Sequence, residues 1–186
     1  KKEKHIIPIL ESIAGRWPSI RFHTPNGLHV RSIDLKLARL LRRAGFSSLF
    51  LSQESFKKEW LDASGSKVSP GDLKRAIRHL KRAGFSGDEI FVYLMVGLPG
   101  QDFAEVKQDI LRVWKLGVRP KLALFSPIPG TPQWEMMVAD GIIPRDADPL
   151  LHNKALFSYR GGSLSPEDLE ELKRLTLQPK NARTSL

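Results

Sequence analysis

Apolar positions recur along this chain in two alternating periods. Ile33, Leu37, Leu40, Leu41 and Ala44 fall on one stripe at helical spacing, which predicts an amphipathic helix over 33–44. Gly45 is placed to end it, and SSLFLS follows as a short strand around the apolar Leu49, Phe50 and Leu51. The unit then repeats. Ser69-Pro70-Gly71-Asp72 offers an N-cap, a proline in the first turn and a carboxylate for a capping box; Leu73, Ala76, Ile77 and Leu80 form the stripe, Gly84 closes it, and the strand EIFVYLMV follows. A third helix from about Asp102 to Leu116 turns Val106, Ile110 and Val113 inward and passes through Gly117 to the strand KLALFS. Upstream, residues 6–14 read as the tail of a helix and IRFHT at 20–24 as a strand, so the pattern opens in mid-unit. After Pro129 it loosens into a short helix near 132–140, an irregular stretch rich in Asp and Pro, and a helix opened by Ser165-Pro166-Glu167-Asp168; LQPKNARTSL reads as a frayed tail.

Strands separated by helices of this length pair in parallel through right-handed crossovers, and near-continuous apolar strands suit a covered sheet or a barrel wall. The expected fold is α/β: a partial (β/α) TIM-like barrel of about four parallel strands with outer helices, over residues 1–135, and a C-terminal helical extension over 136–186.

Unusual residues collect after the strands. Thr24-Pro25-Asn26-Gly27, Ser52-Gln53-Glu54-Ser55, Gly97-Leu98-Pro99-Gly100 and Ser126-Pro127-Ile128-Pro129-Gly130-Thr131 stand at the C-terminal strand ends, whereas the helix-to-strand corners carry plain glycines. Parallel α/β folds build ligand sites at those ends, so the asymmetry points to one functional rim; ordinary turn chemistry is the competing account.

Composition narrows the classes. With 186 residues, 41% of them hydrophobic, the chain can bury one core. It has no apolar run of about 18 residues and no signal-like start, so no membrane partner and a cytoplasmic location are expected. The absence of cysteine excludes disulfides and thiolate metal ligands. A net charge of +10 would attract phosphates, nucleic acid or acidic partners. However, Lys36, Arg39, Arg42 and Arg43, like Lys74, Arg75, Arg78, Lys81 and Arg82, fall on outer helix faces, where solvated cations are ordinary. Histidines 5, 23, 29, 79 and 152 have no metal-ligand spacing, and no nucleophile–base pair stands out, so no catalytic or metal-binding residue is assigned.

GLPGQ after FVYLMV, preceded by a helix ending RAGF and followed by a strand running into SPIPGTP, resembles the radical S-adenosylmethionine (radical SAM) superfamily, especially members that pair the core with a cobalamin-binding domain. HTPNGLHVRSID, LRRAGFSSLFLSQES and Lys67 look like that family's third and fourth strands, and the resemblance runs over residues 15–135. It implies S-adenosylmethionine as ligand, a [4Fe-4S] cluster that reductively cleaves it to a deoxyadenosyl radical, and cobalamin as an open third cofactor. The cluster-binding CxxxCxxC loop is absent, so the chain corresponds to the later strands of the family's barrel. Three explanations stand: a fragment, preceding residues outside this sequence, or a motif lost.

S-adenosylmethionine presents an amino-carboxylate, a ribose diol and an adenine, which call for a cation, hydrogen-bonding side chains and an apolar slot. The resemblance implies that Ser52 and Glu54 face the methionine or ribose portion and that Lys67 pairs with the carboxylate. Tyr93 then falls at a ribose position, Met95 against adenine, Gly97 where backbone approaches the ligand, and Ser126 to Ile128 along the adenine edge. Asn26 would face substrate. Each has a plainer reading: a solvated lysine, a helix-capping Glu54, a tight glycine turn, a proline-braced loop, an Asn-Gly turn.

The function expected is the SAM-contacting and substrate-facing part of a radical SAM enzyme, inactive without the cluster segment, its substrate, small or macromolecular, left open. The alternatives are a cluster-free α/β module that binds an acidic ligand or RNA, and a barrel for a phosphorylated metabolite. An exposed sheet edge would also favour self-association.

Overall fold

The computed structural model describes residues 2–57, 68–98, 100–148 and 164–177. A π-helical turn, Lys2–Ile6, runs into α1 (Ile7–Ile13), followed by β1 (Phe22–His29), α2 (Leu35–Arg43), β2 (Phe46–Glu54), α3 (Pro70–Arg82), β3 (Ile90–Val96), α4 (Phe103–Lys115), β4 (Arg119–Leu124), α5 (Pro132–Ala139) and α6 (Pro166–Thr176). The strands form one parallel sheet in the order β1-β2-β3-β4. Sequential neighbours joined through helices are what right-handed βαβ connections produce, and the α/β fold is as the apolar periods predict. Among the described residues no helix is long and apolar enough to cross a membrane.

Two compact units divide the chain: residues 1–94 with 111–121, and residues 95–110 with 122–186. In the first, the predicted stripes are the buried ones. Leu37, Ala38, Leu40 and Leu41 of α2 and Leu73, Ala76, Ile77 and Leu80 of α3 are enclosed, as are Leu49 and Leu51 of β2 and Ile90, Val92 and Leu94 of β3. Each fully buried leucine contributes roughly 2 kcal/mol. Alternate residues on the opposite sheet face stay half-buried, and there Phe50 stacks on Phe91 at 4.7 Å and on Tyr93 at 5.1 Å between ring centroids.

Carboxylates start the helices. Asp34 caps α2 by accepting from the Leu37 N–H at 2.8 Å; burial alone would raise its pKa, but that hydrogen bond and the Lys2 ammonium outweigh burial and hold it low. Asp72 closes a capping box with Ser69, whose backbone N–H and hydroxyl, with Arg75, depress it from 3.8 to about 2. Much of the basic surface is similarly engaged: Arg42 pairs with Glu89 at 2.7 Å, and Lys81 Nζ donates to the Leu116 carbonyl at 2.9 Å. Backbone meets backbone at the corner beside Leu116, where a Cβ on Gly87 would sit 2.1 Å from the Gly117 carbonyl oxygen.

In the second unit Trp134, Met137 and Ile143 form a buried cluster, with Phe125, Val138 and Ala147 packed against it. Thr131 caps α5 through the Trp134 N–H, and the capping box of Ser165 and Asp168 opens α6, as its sequence predicts.

Three strands differ from expectation. β1 runs on through Pro25-Asn26-Gly27, β2 reaches Glu54, and β4 ends at Leu124, leaving Ser126 beyond it. Lys67, Pro99 and the tail from 178 lie outside the described residues.

Candidate functional site

β1 passes through its proline by bulging. Thr24 pairs with Leu49 and Leu28 with Leu51, so Pro25, Asn26 and Gly27 stand opposite Phe50 alone. An edge strand tolerates proline there because no ladder N–H is demanded of it, and side chains replace the interrupted ladder. The Thr24 hydroxyl accepts from the Phe50 N–H at 2.9 Å, and the Tyr93 hydroxyl donates to the Pro25 carbonyl at 2.9 Å. Gly27 lies so close to β2 that a Cβ would fall 1.9 Å from Ser52 Oγ. Ser52 in turn pairs with Tyr93 on β3. Asn26, Ser52 and Tyr93 are therefore drawn into one neighbourhood, with Asn26 exposed and the other two half-buried.

Beyond Ser52 the register slips. Ser52 pairs with Tyr93 and Glu54 with Leu94, so two steps on β2 match one on β3. Glu54 absorbs the slip with φ at 65°, the single non-glycine residue with positive φ among the described residues. That conformation costs about 1–3 kcal/mol and persists where the surroundings enforce it. The bulge buries Gln53 to 1% exposure; its Nε2 donates to the Ser55 carbonyl at 3.0 Å, while its Oε1 has no partner.

The second unit holds the other candidates. Met95 is half-buried, and Gly97 turns the chain away from β3 with φ at 90°. No atom lies within 4 Å of where a Gly97 Cβ would be; its glycine is demanded by the turn, and the space beside it is open. Phe125 donates its N–H to the Val96 carbonyl at 2.8 Å, which sets Ser126 one residue past β3's last pairing. Ile128 is 65% exposed, and its carbonyl accepts from both the hydroxyl and the N–H of Thr131.

Sequence reasoning passed over three residues. The Gly27 contact, the buried Gln53 and the buried Gln101 all depend on tertiary neighbours; an amide wedged between GLPG and the Asp102 that caps α4 through Glu105 N–H was the one available signal. Two cavities in the first unit, of about 560 and 570 Å³, are lined by other residues, Ile33 and Leu37 in one and Lys74 and Arg112 in the other. No group of three or more potential metal ligands occurs among the described residues.

Comparison with known proteins places the chain in a family. The profile of the Radical SAM superfamily matches residues 3–113. The chain belongs to the radical SAM superfamily. Among curated proteins, an uncharacterized methyltransferase of Pyrococcus horikoshii is 24% identical over 115 residues, covering 61% of this chain and 24% of that protein. Among solved structures, the radical S-adenosylmethionine methyltransferase TsrM of Kitasatospora setae, with cobalamin and a [4Fe-4S] cluster bound, aligns over 74% of this chain and 28% of its own at 19% identity and a TM-score of 0.61. Methylornithine synthase (PylB) aligns over 94% and 43% at 15% identity and a TM-score of 0.63. At these identities the likeness is one of fold, and the chain spans about a quarter of the length of the methyltransferase and of TsrM.

Superfamily membership is consistent with SAM-dependent radical chemistry. The residues of this chain do not fit the cluster, because a [4Fe-4S] centre is held by thiolates and the sequence has no cysteine.

Proposed function

We propose that this chain is the SAM-contacting and substrate-facing part of a radical SAM enzyme whose cluster ligands lie outside this sequence, and that it does not cleave S-adenosylmethionine without them. Glu54 carries the reading. A carboxylate held in a left-handed backbone conformation at a strand end, on a bulge, is a strained residue of the kind that collects at ligand sites, and it stands where the superfamily resemblance assigns a methionine or ribose contact.

Within this reading Ser52 and Glu54 bind the polar portion of the ligand, Met95 packs on adenine, and the open backbone at Gly97 lets the ligand approach. Ser126 and Ile128 follow the adenine edge, Lys67 answers the carboxylate, and Asn26 faces substrate. Tyr93 is given a smaller part than its position suggests: its hydroxyl proton is committed to Pro25, leaving it only as an acceptor. Cobalamin enters only as a companion present in the TsrM structure, and no residue here is assigned to it.

Titration calorimetry of the purified protein with S-adenosylmethionine, and separately with inorganic phosphate, tests the proposal. Saturable binding of S-adenosylmethionine that falls at least tenfold, about 1.4 kcal/mol, in Glu54→Ala and Met95→Ala is expected. Binding of phosphate in its place, or wild-type affinity in both variants, overturns it.

A further inference from the structure

The backbone that leaves β3 is held by one side chain. Gln101 is 2% exposed, and its amide converges on the strand end: Oε1 accepts from the Gly97 N–H at 2.9 Å and from the Leu98 N–H at 3.3 Å, while Nε2 donates to the Met95 carbonyl at 3.1 Å. A chain that leaves a sheet loses ladder partners at just such groups, and buried ones must be satisfied elsewhere. The turn's own backbone adds one bond, from the Gln101 N–H to the Leu98 carbonyl at 3.0 Å. An amide presents an acceptor and a donor in one plane; an ionised carboxylate has only acceptors and an apolar side chain neither. Gly97 at φ 90° and Gly100 at φ 74° leave the two ends of this turn without the guidance of a Cβ, and the amide ties the polar backbone groups from Met95 to Leu98 into one shape.

We propose that Gln101 is a positioning residue for the adenosyl ligand: it fixes the Met95–Leu98 backbone in the receptive shape, so that binding does not have to order the turn. Preorganisation of this kind raises affinity by removing an entropic cost. The inference rests on the S-adenosylmethionine reading above and deepens it, since Gln101 acts through Met95 and Gly97 and does not itself touch the ligand.

The test compares the wild type with Gln101→Leu and Gln101→Glu by S-adenosylmethionine calorimetry across about pH 5.5 to 8.5, with amide hydrogen exchange at Gly97 and Leu98. A carboxyl buried at that position titrates above its usual range. Protonated, it accepts from Gly97 and donates to the Met95 carbonyl; ionised, it repels that carbonyl. Gln101→Leu is expected to bind about tenfold more weakly at every pH. Gln101→Glu should approach wild-type affinity at the acid end and lose about tenfold as the pH rises, a profile the wild type lacks. A merely structural role lowers the melting temperature but leaves the affinity of the folded protein and its pH profile unchanged, and that result overturns the proposal. Should the wild type bind no S-adenosylmethionine, the functional reading fails separately and exchange still judges the clamp. Acid-dependent protection of Gly97 and Leu98 in Gln101→Glu supports it, and equal exchange in all three proteins refutes it.

Discussion

The hydroxyl of Tyr93 donates a 2.9 Å hydrogen bond to the carbonyl of Pro25, reaching from β3 to the bulge of β1. A residue placed by family resemblance at a ribose position is thereby also a brace for the edge strand. Tyr93→Phe should cost about 1 kcal/mol of stability in chemical denaturation, the usual net worth of such a bond, and change S-adenosylmethionine affinity less than about threefold. A large loss of affinity at unchanged stability would return the phenol to the ligand.

Gly27→Ala should destabilise by about 1–3 kcal/mol, because the added methyl would lie 1.9 Å from Ser52 Oγ and overpacking costs that much. Combining it with Ser52→Ala removes the colliding oxygen and should recover part of the loss, since the Ser52 Cβ and backbone nitrogen would still stand 3.1 and 3.2 Å from the new methyl. A double-mutant cycle in urea measures the coupling.

Glu54→Gly separates fold from function. Glycine relieves a left-handed backbone by about 1–2 kcal/mol and loses about 1 kcal/mol through its freer unfolded chain. Stability should therefore stay within about 1 kcal/mol of wild type while S-adenosylmethionine binding falls at least tenfold. Thermal melts and calorimetry on one preparation decide it.

Much of this architecture was legible in the apolar periods. The stripes of α2 and α3 and the capping boxes at Ser69 and Ser165 follow from short-range chemistry, and they appear where the sequence places them. β1 was not legible past Thr24. Pro-Asn-Gly has the composition of a turn, and what keeps it in the sheet is a hydroxyl on Thr24, another on Tyr93 and the missing side chain of Gly27, each of which meets a strand distant in sequence. Along β3, Tyr93 and Met95 lie on the half-buried face, opposite Val92 and Leu94, as strand alternation requires. Glu54 reads in sequence as the start of a loop; its strain comes from a register slip against β3, a pairing no single segment encodes.

Acid should weaken the start of α3 through Asp72. Its carboxyl is depressed from 3.8 to about 2, first by the Ser69 backbone N–H, then by the Ser69 hydroxyl and Arg75. A depressed carboxylate contributes stability that is complete above its unfolded pKa and is lost as pH falls through the folded one. The loss should therefore fall between pH 3.8 and about 2. Asp72→Asn, which cannot titrate, should flatten that part of the stability curve in thermal melts taken at stepped pH.

The corner at Gly87 and Gly117 joins two peptide planes with no room for even a methyl group, while Gly97 and Gly100 in their turn meet nothing nearby. A side chain is therefore excluded at the first place by collision and resisted at the second by backbone conformation, since both glycines there have positive φ. The two corners thus keep glycine for different reasons, one for want of space and the other for the handedness of its backbone.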